Sequence, residues 1–168
     1  MMTDISTYPT IAQVLVEGNN LHRFIAGEDL TAGQVVGFAA TGVSKTVVAM
    51  DATAGEQPVG VVIFDADSGD LCTVACRGCW VKVAAADDTT GIDAGNLVEW
   101  NDNAVKGCVS EFAPRADLGS CTIDASDDTT VDGSTWKIGQ AMEDIAGGSY
   151  GIIEVDPQLV LYSDHTVV

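Results

Sequence analysis

The chain has 168 residues, 46% of them apolar, with 18 glycines and four prolines, a composition suited to one globular domain. Twenty-five acidic residues against seven basic ones give a formal net charge of −18. Such a surface repels phosphate backbones and anionic lipid, so neither direct nucleic-acid binding nor membrane binding is expected. No apolar run approaches the ~20 residues of a membrane span. The N-terminal Met1 to Thr7 has neither the basic region nor the apolar core of a secretory signal. Only four of the basic residues are lysines, and high negative charge keeps proteins soluble where salt screens their self-repulsion, which suits a halophilic source.

In chain order, residues 1–10 read as an extended arm, because the residue before Pro9 is held out of the helical region and little there packs on itself. Ile11 to Glu17, with Val14 and Val16 on one face, reads as a strand, and Gly18-Asn19-Asn20 as a turn. Phe24 to Ala26 is a further short strand, closed by Gly27. From there the pattern is almost wholly β. The runs Gln34 to Ala39, Lys45 to Met50, Val59 to Phe64, Leu71 to Cys76 and Cys79 to Val83 are short and rich in β-branched residues. Leu97 to Trp100, Val105 to Val109, Trp136 to Met142 and Tyr150 to Val155 follow the same pattern. Helix is expected only as single turns, at Phe64 to Gly69 and Glu143 to Gly148.

The chain also repeats itself. Leu30-Thr-Ala-Gly33-Gln-Val-Val36 returns as Ile92-Asp-Ala-Gly95-Asn-Leu-Val98, and Val59-Gly60 through Asp65 to Val74 returns as Ile138-Gly139 through Asp144 to Ile153. The spacing from Gly33 to Gly60 is 27 positions and from Gly95 to Gly139 is 44, so the second copy carries about 17 extra residues. Neither half looks able to bury its apolar face alone, so the copies are expected to close on each other. The expected fold is all-β: a small β-barrel or sandwich of two repeated half-units, 27–83 and 89–155, within a single domain 11–168. Gly33 and Gly95 are read as positive-φ positions entering strands. The extra residues fall in 110–133, a polar, acidic stretch long enough to suggest a functional loop. Leu159, Val160 and Leu161 near the C-terminus suggest a docked segment.

Few residues tempt a chemical reading. Cys72, Cys76, Cys79, Cys108 and Cys121 make an odd set. Cys76 and Cys79 have the spacing of one zinc knuckle, but no second knuckle exists, so buried free thiols lead over a disulfide or a metal site. His22 and His165 lie near the two ends, far in sequence from any thiol they could activate. Asp65-Ala-Asp67-Ser-Gly-Asp70 resembles a calcium loop, yet its twelfth position is Cys76 rather than glutamate, so a solvated turn leads there. Asp87-Asp88 and Asp124 to Asp132 are read the same way. No phosphate-binding glycine loop occurs. Trp80, Trp100 and Trp136 stand singly, which favours packing over a sugar platform. No catalytic residue, cofactor or metal is assigned.

The Ala-Gly-x-x-Val blocks, the Val/Ile-Gly-x-Ala/Val before an aspartate, and Gly69 and Gly148 leading into strands resemble the small β-barrel decoration proteins of tailed-virus heads. They are particularly similar to a family of uncharacterised barrel proteins encoded among phage head genes, over about Ala26 to Val155. The resemblance implies a structural, non-enzymatic protein on the capsid exterior, usually a homotrimer, that bridges the major capsid protein and gives head stabilisation. Its location would be the virion, after synthesis in the host cytoplasm, with the major capsid protein and itself as partners. The arm would match the N-terminal extension of that family. Ile5, Tyr8 and Pro9, with Leu159 and Leu161 at the other end, are the expected contact residues. The alternative is an outward-projecting spike or turret that recognises a host surface glycan through 110–133.

Overall fold

Runs of β-branched residues broken by glycine and aspartate leave the chain little choice but short strands. The computed structural model describes residues 20–39, 45–50, 57–86, 91–100, 106–112 and 134–161. Ten strands lie in these segments: β1 (Leu21–Ala26), β2 (Val35–Phe38), β3 (Thr46–Ala49), β4 (Pro58–Val62), β5 (Leu71–Ala75), β6 (Trp80–Ala84), β7 (Leu97–Trp100), β8 (Val109–Glu111), β9 (Ser134–Ala141) and β10 (Tyr150–Leu161). The all-β expectation holds.

β1 to β5 form a closed barrel in the order β1-β3-β2-β4-β5, and β6 to β10 form a sheet in the order β6-β10-β9-β7-β8. The second order is the first traversed the other way, and a parallel bridge from Ala85 to Val109 joins its two ends. That bridge is the counterpart of the parallel β1–β3 pair, Ala26 with Val47. The two halves, β1–β5 and β6–β10, therefore share one topology, down to local detail, and their boundary falls between β5 and β6 rather than after residue 83, so β6 pairs with β10 in the second half. Val36 pairs with Gly60 and Val98 with Gly139, and each strand pair then slips at a bulge one residue later. Gly33 N–H donates to Val62 O as Gly95 N–H does to Ala141 O. Gly33 and Gly95 sit at φ 90° and 87°, the left-handed turn expected of them.

The first repeat closes around its own cluster, which includes Ala26, Leu30, Val36, Val47, Val62, Cys72 and Val74, with Phe24 packed at its edge. A second core is shared: Val81, Val83, Ile92, Val98, Val109, Ile138 and Ile153 of the second repeat meet Val35, Val61, Ile63 and Ala75 of the first. The halves do close on each other there, but the first also buries a core alone.

Three local expectations change. Phe64–Gly69 and Glu143–Gly148 contain no helical turn; Ala66 and Ile145 instead make antiparallel bridges to Leu30 and Ile92. Within the strand expected over Val105–Val109, Lys106 and Gly107 form a turn, with Gly107 at φ 75°, and the strand β8 begins at Val109; Val105 lies outside the described residues. β10 runs past Val155 to Leu161, the register shifting between Val155 and Gln158 so that Pro157 sits at a bulge rather than in the ladder. The arm 1–10, the strand expected at Ile11 to Glu17, and all but Ser110, Glu111 and Phe112 of the 110–133 insertion lie outside the described residues.

Candidate interaction surface

Strand alternation sends β2, β4 and β5 side chains in two directions. Val36, Val62 and Val74 point into the first barrel, whereas Val35, Val61 and Ala75 form an outward row, paired in register across the three strands. That row is wholly buried, because the second repeat covers it. Main-chain bonds stitch the same seam: Val35 N–H donates to Gly107 O at 2.8 Å, Gly107 N–H to Met50 O at 2.7 Å, and Ala84 N–H to Gly33 O at 3.0 Å. Lys106 Nζ reaches Glu28 Oε2 at 3.2 Å over its rim. A cleft of about 310 Å³ opens along the seam between Thr31, Gln34, Ala84, Cys108, Ser149 and Tyr150. Burial, with the nearby Cys108 and Asp65 groups, raises the Tyr150 hydroxyl pKa above its usual range.

The faces not used by this seam differ in character. On the first barrel, Leu21, Arg23 and Ile25 of β1 share the outer face with Leu71 and Thr73 of β5, and Ile25 stands directly opposite Leu71. Ile25 is 38% exposed and Leu71 67%. Phe38 and Phe64 are also exposed, the former edge-on to Phe24 with ring centroids 5.9 Å apart. Large apolar side chains grouped in this way mark interaction surfaces more often than single ones do.

The acidic turns have a structural use. Asp65 Oδ1 accepts the Ala32 N–H at 2.8 Å, and Asp144 Oδ1 accepts the Ala94 N–H at 2.9 Å, each tying the second block of a repeat to its first. Asp29 Oδ1 takes the Ser68 N–H at 2.9 Å. These carboxylates satisfy backbone donors of turns, as a solvated turn requires. Among the described residues no three His, Cys, Asp or Glu side chains converge as a metal site would need. Cys72, Cys76, Cys79 and Cys108 are all buried. Burial above all, then its neighbour Cys79, pushes the Cys76 pKa up to about 11. Cys121 lies outside the described residues.

Of the expected contact residues, Ile5, Tyr8 and Pro9 lie outside the described residues. Leu159 and Leu161 lie on the end of β10, in register with Trp136 and Ser134 of β9. Sequence reasoning passed over Leu21, Ile25, Leu71 and Leu97. One signal pointed to them: β1 is apolar at both parities, with Phe24 and Ala26 on one face and Leu21 and Ile25 on the other, the mark of a strand covered on both sides. No protein-family model matches the chain, and no curated protein matches it.

Proposed function

We propose that this chain is a structural, non-enzymatic protein that decorates the exterior of a tailed-virus capsid as an oligomer and stabilises the shell by binding its major capsid protein. The observation that carries the reading is the duplication itself. The blocks that bear the resemblance to head-decoration barrels are the turns and strands that define each five-stranded unit, and the first unit holds apolar side chains out to solvent.

The mechanism is thermodynamic. A protein that binds only the mature lattice lowers the free energy of that state by mass action. An oligomer multiplies weak contacts, because each further contact forms at high effective concentration. The arm, through Ile5, Tyr8 and Pro9, adds main-chain hydrogen bonds to a sheet edge of the capsid protein, and Leu159 and Leu161 add apolar contact. A charge of −18 keeps such a coat soluble in a salt-rich host.

Light scattering in low and high salt, followed by co-sedimentation with mature and precursor shells, tests the reading. Pelleting with mature shells alone is the expected result, and removal of residues 1–10 should weaken it. A protein that ignores both kinds of shell overturns it. Glycan binding that follows exchange of residues 110–133 would then put the recognition spike in its place.

A further inference from the structure

The seam between the two repeats joins unlike faces of like units. The first repeat contributes the Gly33 turn and the Val35–Val61–Ala75 row; the second contributes Ala84, Gly107 and Tyr150. The fit is close at Gly33, where a Cβ would stand 2.8 Å from the Tyr150 ring. Contacts of this kind leave one face of each sort unused, and such faces propagate or close a ring. The unused counterparts follow from the strand registers. Ala84 pairs with Tyr150 as Ile25 pairs with Leu71. Leu97, Gln140 and Glu154 form a row across β7, β9 and β10 where the first repeat has Val35, Val61 and Ala75.

The substitutions between counterparts are informative. Where the second repeat has Gly107 at φ 75°, the first has Lys45 at φ 66°, the one non-glycine residue with positive φ among those described. The backbone corner is kept and a cation is added to it. A Cβ at Gly107 would come within 2.8 Å of Gln34 Cβ, so a contact using Lys45 is more open on that side than the internal seam. On the opposite face Val61 and Ala75 give way to Gln140 and Glu154. Arg23 and Lys45 thus flank the Ile25–Leu71 pair, and Glu154 shares a row with the 38%-exposed Leu97. Two of only seven basic residues in the chain sit on this one face. Apolar anchors with a rim of opposite charge are what a joint between separately soluble units needs, in contrast to a permanent core.

We propose that copies of this chain join head to tail, the Ile25–Leu71 face of one against the Leu97 face of the next, as a more polar version of the seam within each copy. The inference takes the self-association in the capsid reading down to particular residues and stands or falls separately from shell binding.

The test uses the full chain, Leu71→Asp and Leu97→Asp, sized by light scattering alone and mixed. Circular dichroism and melting curves verify that both variants remain folded, as exposed positions allow. The wild type is expected to be oligomeric and each variant monomeric. Their equimolar mixture should stop at a heterodimer, since one intact pair of faces remains. A monomeric wild type, a variant that still assembles, or loss of assembly with Leu71→Asp but not Leu97→Asp overturns the joint. Co-sedimentation of the same proteins with mature shells separates the two readings: a monomeric wild type that still coats shells sinks the joint and leaves decoration standing, whereas an oligomeric wild type that ignores shells sinks decoration and leaves the joint.

Discussion

The carboxylate of Asp65 accepts the backbone N–H of Ala32 at 2.8 Å, across 33 residues of chain. Ala32 belongs to the first repeated block and Asp65 to the second, so one side chain holds the two blocks of a repeat together. Asp144 does the same for Ala94. The Asp65 bond is part-buried and the Asp144 bond exposed. Hydrogen bonds to charged acceptors contribute more when water competes less. Asp65→Ala should therefore cost about 1–2 kcal/mol in urea unfolding, and Asp144→Ala less. Equal losses at both sites would show that burial does not set the difference.

Gly60 and Gly139 occupy equivalent places on β4 and β9, each just after a bulge. A Cβ on Gly60 would fall onto the Ala75 carbonyl oxygen, and one on Gly139 onto that of Glu154. Backbone cannot move aside as a side chain can. Gly60→Ala and Gly139→Ala should each cost about 3 kcal/mol or more, in the range of severe core damage. Gly69, with open space around its Cα but φ 92°, should lose only the roughly 1–2 kcal/mol of left-handed strain. Melting temperatures of the three variants check the order.

How much of this was legible in the sequence depends on whether the signal is local. Gly33 before Val35-Val36 and Gly95 before Leu97-Val98 mark the same turn-to-strand step, and both strands lie where that step puts them. The count of about 17 extra residues also holds, since β3 and β8 remain in phase and β4 and β9 do not. Closure was not legible. It rests on the parallel pairing of Ile25–Ala26 with Thr46–Val47 and the single Ala85–Val109 bridge, and alternation of side chains says nothing of which strands meet. The single helical turns expected at Phe64 to Gly69 and Glu143 to Gly148 fail for the same reason, since Ala66 bonds to Leu30 and Ile145 to Ile92, partners more than 30 residues away. The outer face of the first barrel was half-legible: Val35 beside Val36 showed a strand buried on both sides, but not what lay against it.

Burial first, then Cys79, raises the Cys76 thiol from 9.0 to about 11. Between those values the unfolded chain releases a proton that the native chain keeps. Stability from this group is therefore intact below about pH 9 and declines as pH rises toward 11. Alkylation of Cys76 at mildly alkaline pH should be slow in the native protein and become fast in denaturant. Mass spectrometry of peptides after a timed iodoacetamide pulse measures this. Fast native labelling of Cys76 would show that the thiol is neither buried nor protonated.

Asp156, at the bulge of β10, faces two cations. Arg77 Nε of the turn between the repeats lies 2.7 Å from Oδ1, and Lys137 Nζ of β9 lies 3.2 Å from Oδ2. The partners are unequal, for the Arg77 side chain is 70% exposed and that of Lys137 only 15%. An exposed ion pair contributes about 0–1 kcal/mol, most of it screened by salt. Taking the carboxylate away leaves the Lys137 ammonium largely desolvated without its counter-charge, which costs more. Arg77→Ala should thus change stability by under about 0.5 kcal/mol and lose even that in high salt. Asp156→Ala should cost about 1–3 kcal/mol, with most of the loss persisting in high salt. If the two variants unfold at the same urea concentration, or if salt erases the Asp156→Ala deficit, the burial of Lys137 carries no energetic weight at this bulge.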